Sequence, residues 1–188
     1  MDAAFHEAAN PRRFKVLGLP LQPLTLGHRF LLVQHGSAFV SGEQAHLPDL
    51  MLSVFICSQP WRQAERNLSA WWFKLFVWIW SQTLRKTVLQ IEYQKFHAYF
   101  EASEKRPITA CKRSSGSVNA PFEYWLLAAL MTELGIAMDA ALDMTIVKAN
   151  CLLATLGDMR GGLELMDDRR LNFLAQVERA EAIKFGAN

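Results

Sequence analysis

From Trp61 to Glu104 the chain runs without a proline or a glycine, and the stretch is rich in Leu, Gln, Glu, Lys and Arg. These residues lose little side-chain freedom in a helix and no local breaker ends one, so the run predicts one long helix or two abutting ones. Its two halves differ. Ala70 to Trp80 reads AWWFKLFVWIW and is apolar all round apart from Lys74, the pattern of a helix enclosed by others. Farther on, Leu84, Val88 and Ile91 form one apolar stripe, and Leu89, Tyr93, Phe96 and Phe100 form a second. Both have helical spacing, and two stripes imply two neighbours. A long Trp-rich helix at the centre of a bundle is the expectation.

Breakers cut the rest of the chain into shorter pieces. Residues 1–15 read as a flexible arm. Leu17 to Pro23 is expected to run extended, because each proline disfavours helix in the residue before it. Thr25 is placed to cap a helix over Leu26 to His35, with Gly36 at its end. Pro48 suits the first turn of a second helix, with Asp49 near its positive end, and Pro60 interrupts it. Residues 105–120 (KRPITACKRSSGSVNA) read as a linker between two helical halves. Pro121 opens a helix that stops at Gly135. Met138 to Leu156 continues in helical register, with Asp139 or Asp143 placed to cap a turn and the glycines at 157, 161 and 162 ending it. Asp167 then opens a final helix carrying Leu171, Leu174 and Val177 on one side. The best strand candidate is the triplet Ala38-Phe39-Val40. The expected fold is all-α: one helical domain over residues 1–188, a bundle of about six or seven helices.

Catalytic chemistry finds little support. Gly116 lies in SSGSVN, which has neither the spacing nor the lysine of a phosphate-binding loop, and no GxSxG elbow is present. His28 and His35 are seven residues apart, about 10 Å along a helix, too far to share one metal ion. His97 sits among aromatic residues and reads as a packed or half-exposed side chain. Asp139 with Asp143, and Asp167 with Asp168, fall at expected helix starts, where capping explains them without acid–base work. No catalytic, cofactor-binding or metal-ligating residue is assigned.

Charge and targeting narrow the setting. Twenty Lys and Arg against 18 Asp and Glu give a net charge of +2, so no global field draws the chain to nucleic acid. The two local basic clusters, Arg12-Arg13-Lys15 and Lys105-Arg106-Lys112-Arg113, lack interleaved aromatics for base stacking. Cys57, Cys111 and Cys151 are odd in number and far apart, which fits a reducing compartment. The N-terminus carries acids and no apolar core of a signal peptide. Ala70 to Trp80 falls short of the roughly 18–20 apolar residues that span a bilayer; a buried helix is the expectation there, with an interfacial anchor as its alternative.

The segment from Phe122, FEYWLLAALMTELGIAMDAALDMTIVKANCLLATLGDMRG, resembles part of the tail assembly chaperones of tailed bacteriophages and prophages. The likeness lies in a helix with an internal Trp, a short turn, an acidic and apolar segment with a further helix, and a charged C-terminal helix. LGLPLQPLTLGHRFLL is a looser likeness to phage tail-operon proteins. The resemblance implies a non-enzymatic helical protein in the bacterial cytoplasm that binds and solubilises the tape measure protein and is absent from the finished virion. The alternative is a structural component retained in the particle, such as a head–tail connector or tail-completion protein.

Six Trp and 12 Phe imply a large packed core or an apolar surface awaiting a partner. If the surface reading holds, Trp71, Trp72, Phe76, Trp78, Trp80, Tyr93, Phe96 and Phe100 are the candidate partner-binding residues, forming a groove for an apolar client helix or for a second copy of the chain.

Overall fold

Local capping chemistry starts two of the helices, those that open after Thr25 and His46, where the sequence places them. A computed structural model describes residues 3–9, 11–84, 88–111 and 120–165. In chain order the elements are α1 (Ala3–Ala9), β1 (Lys15–Val16), β2 (Leu19–Pro20), α2 (Leu26–Gln34), α3 (Ala38–Ser41), α4 (Leu47–Cys57), α5 (Trp61–Leu68) and α6 (Phe73–Thr83). They continue with α7 (Leu89–Ser103), β3 (Thr109–Cys111), α8 (Phe122–Leu134), α9 (Met138–Asp143), α10 (Ile146–Met159) and β4 (Leu163–Leu165). The fold is all-α, with β1–β2 and β3–β4 as two small antiparallel pairs. Thr25 caps α2, its hydroxyl accepting from the His28 N–H while His28 Nδ1 accepts from the Thr25 N–H. Asp49 accepts from the His46 N–H at the start of α4. Gly135 ends α8 in the left-handed region, where only glycine is free of Cβ strain.

The described residues hold ten helices, more than the six or seven expected, because tertiary contacts cut the long ones. The breaker-free run is three helices. Turns at Ser69–Trp72 separate α5 from α6, and this reorientation brings Phe73 and Phe76 onto Phe55, with ring centroids 4.8 and 5.5 Å apart. The Trp-rich helix is therefore α6, of 11 residues, neither long nor enclosed. The expected helix over Met138 to Leu156 breaks at Met144–Thr145, both extended. There the Leu26 N–H donates to the Met144 carbonyl and the Ile146 N–H to the Leu24 carbonyl. Two backbone hydrogen bonds to a distant segment outweigh helix continuation.

Three other expectations change. Ala38-Phe39-Val40 is helical, because α3 is a single turn closed by Gly42 in the left-handed region. The arm contains α1, whose Ala4 packs with Val147 and Cys151 of α10, and β1, whose Val16 is fully buried. The linker contributes β3, paired Thr109 to Leu165 and Cys111 to Leu163; residues 112–119 and the helix expected from Asp167 lie outside the described residues.

One core cluster runs from Val16 through Leu32, Val54, Ile56, Phe96, Tyr99, Leu126 and Leu130 to Ile146. Each such fully buried apolar side chain contributes about 1.5–3 kcal/mol of transfer free energy. Gly27 of α2 is a close-approach site: a Cβ there would meet the Trp61 ring at 2.5 Å. Trp61 Nε1–H in turn donates to Asp143 at 2.6 Å, tying α5 to α9. Arg29 is buried between Glu104 and Glu123 and lies over the Phe100 and Phe122 rings at 5.6 and 4.9 Å, joining α2 to the end of α7 and the start of α8.

Candidate protein-binding surfaces

Helix α6 is two-faced in position although apolar in composition. Phe73 and Phe76 turn toward Phe55 of α4, Trp80 packs beside Phe76 at 5.6 Å, and Trp72 packs edge-on to Phe76 at 6.2 Å. The exposed set is Trp71, in the turn just before the helix, and a stripe of Leu75, Trp78 and Ile79 on its other face, spaced i, i+3 and i+4. They are 86%, 53%, 61% and 51% exposed. A row of large apolar side chains rimmed by polar surface is the usual mark of a contact site.

The candidate residues on α7 behave differently. Phe96 is fully buried, 4.6 Å from the Phe39 ring and 5.5 Å from Tyr99. Phe100 is buried beside it, and Tyr93 is half-buried, stacked on Phe39 at 6.3 Å. Of the eight candidates, only Trp71 and Trp78 stand open; Trp72, Phe76 and Tyr93 are half-buried, and Trp80, Phe96 and Phe100 belong to the core. They do not line one groove, because α6 and α7 send their aromatic residues inward along different sides. Leu75 and Ile79 complete the exposed stripe and were legible only as parts of an apolar run.

A groove does exist, between α8 and α10, with a volume of about 540 Å³. Its α8 wall is Trp125, Ala128, Ala129 and Thr132; its α10 wall is Leu153, Ala154 and Gly157. The small residues on both walls hold the space open. Leu163 of β4 closes against Gly157, where a Cβ would stand 2.6 Å from the leucine side chain. Glu133 and Arg160 form an ion pair between the helices, and Asn150 donates to the Lys105 carbonyl at 3.4 Å. From Trp125 to Glu133 the wall is about 12 Å long, two helical turns. The i, i+3, i+4 and i+7 spacing of these residues was present in the sequence, but their pairing with α10 was not.

The ionisable groups singled out by sequence serve the scaffold. Burial lowers the His28 pKa, against opposing effects of the Gln59 carbonyl and Asp143. Its Nε2 lies 2.8 Å from the Gln59 carbonyl and Nδ1 accepts from the Thr25 N–H, the pattern of a neutral Nε2–H tautomer. The Cys57 thiol is pushed up to about 12 by burial and stays protonated at neutral pH. Asp139 and Asp143 do not cap a turn of their own helix: both accept from Arg62 of α5, at 3.1 and 3.4 Å, so they staple α9 to α5. Asp167 and Asp168 lie outside the described residues. In the basic clusters, Arg12 pairs with Glu7 at 3.2 Å and Arg106 lies over the Phe122 ring at 4.7 Å, while Lys112 and Arg113 lie outside the described residues.

Among the described residues no group of three or more His, Cys, Asp or Glu could hold a metal ion, and no helix is long and apolar enough to cross a membrane. Compared with protein-family models, with curated proteins and with solved structures, the chain matches none.

Proposed function

We propose that this chain is a non-enzymatic morphogenesis factor of the tail assembly chaperone type, working in the cytoplasm of a bacterial host, and that its α8–α10 groove holds an apolar helical segment of a tape measure protein. The observation that supports this reading is the groove itself. It is built by Trp125, Ala128, Ala129, Leu153 and Ala154, within the segment from Phe122 that carries the resemblance. Two turns of groove with small side chains on both walls accommodate two successive anchors of a client helix at i and i+4. The cost of leaving such a client segment in water is the reason a chaperone is needed, since exposed apolar helices aggregate.

The test is to purify the tagged chain from cells assembling the particle and to identify what co-elutes. One long, helix-rich, apolar protein is expected, with the chain missing from finished particles. Ala128→Trp, which fills the groove from an exposed position, is expected to weaken that capture at least about tenfold, or roughly 1.4 kcal/mol, without changing the melting temperature. Recovery of shell or connector proteins alone, with the chain retained in particles, would overturn the reading in favour of a structural component.

A further inference from the structure

Between Glu65 and Glu92 the sequence carries Arg66, Lys74, Arg85 and Lys86 and not one acid. The whole chain has a net charge of only +2, so along the sequence this stretch is a local excess of positive charge. The same stretch turns Trp71, Leu75, Trp78 and Ile79 outward. We propose that α6 docks flat on an anionic lipid bilayer, its outer stripe sunk at the boundary between headgroups and acyl chains.

Three features carry this. Trp has an apolar body and one N–H donor, so it settles at the membrane–water boundary, and Trp78 on the stripe and Trp71 in the turn before it are both exposed. The basic, acid-free composition of residues 66–91 complements anionic headgroups. Length sets the orientation: the 11 residues of α6 make a rod of about 17 Å, well short of the ~30 Å hydrocarbon core, so the helix lies on the surface. Docking leaves the core intact, because Phe73 and Phe76 stay against Phe55 while the opposite face inserts. A second copy fits less well as the occupant, since it would bring the same acid-free basic stretch against itself. This surface is separate from the α8–α10 groove, so either reading can fail alone.

The full chain is mixed with vesicles of phosphatidylcholine, and with vesicles in which about a third of the lipid is phosphatidylglycerol, and followed by co-sedimentation and tryptophan emission. Binding to the anionic vesicles with a blue shift is expected, weakening as salt rises. The double substitution Trp78→Ser with Ile79→Ser should reduce binding at least about tenfold at unchanged melting temperature, while Val33→Ser, an exposed apolar site on α2, should bind as the parent does. Lys74→Glu should weaken binding to anionic vesicles severalfold and keeps the proposal testable if the double variant unfolds. Failure to bind the anionic vesicles, or equal binding to both, would overturn it. So would a dimer in sedimentation equilibrium that the double substitution dissolves, or a protein captured through this stripe with no vesicle binding.

Discussion

Helices α6 and α7 are neighbours in sequence with similar aromatic loads, four aromatic residues each, and opposite fates. On α7 only one of the two expected stripes finds a neighbour: Phe96, Tyr99 and Phe100 fill the core, while Val88 and Ile91 of the other stripe stay exposed. On α6 apolar residues cover every direction, and one neighbour cannot cover a cylinder. Its inner face meets Phe55 while Trp71 and Trp78 stay in water. Aromatic content therefore shows that surface must be hidden somewhere; the number of packing neighbours decides how much stays exposed.

Four substitutions or conditions break or sharpen this contrast. Phe96→Ala empties a fully buried site that touches Phe39, Tyr99 and Phe100, and denaturant unfolding is expected to show a loss of about 3–5 kcal/mol. Arg29→Met strips the cation from between Glu104 and Glu123 at the C-terminal end of α7. It leaves two carboxylates in a poorly solvated site, at a cost of about 3 kcal/mol in the same measurement; a neutral result would detach the α7 core from this cluster.

His28 sets a pH dependence. Its folded pKa lies below the ordinary 6.5, so between those two values the unfolded chain binds the extra proton and stability rises with pH. Lowering the pH from 7 through 6.5 and below is therefore expected to destabilise the fold, by at most about 1.4 kcal/mol per pH unit from this group. His28→Gln should flatten that part of the profile in melts across pH. Trp78→Ala should have the smallest effect, within about 0.5 kcal/mol. If it cost as much as Phe96→Ala, the two helices would not differ as described.

Much of the fold was legible because its signals are local. Thr25, Asp49, Pro121 and Gly135 act through backbone donors and acceptors within a turn of themselves, so their roles can be read from composition and spacing. The break at Met144–Thr145 could not be, since its cause is the Leu24–Leu26 segment, 120 residues earlier by the Thr25–Thr145 pairing. Nor could the roles of Asp139 and Asp143, because the partner is Arg62 on another helix. The candidate site was half legible. Trp71 and Trp78 could be named as candidates for an exposed apolar surface, yet the same pattern included Phe96 and Phe100, which the core consumes. The α8–α10 groove went unseen because small residues signal nothing until a second wall faces them.

By itself, then, the sequence determined the helical class, half of the helix starts among the described residues and the surplus of aromatic surface, since propensity, capping and periodicity act over a few residues. Tertiary structure alone decided where the long helices break, which aromatic residues remain in water, and that Ala128, Ala129 and Ala154 border an open groove. Those outcomes depend on which distant segments meet, and burial is a property of the meeting rather than of the residue.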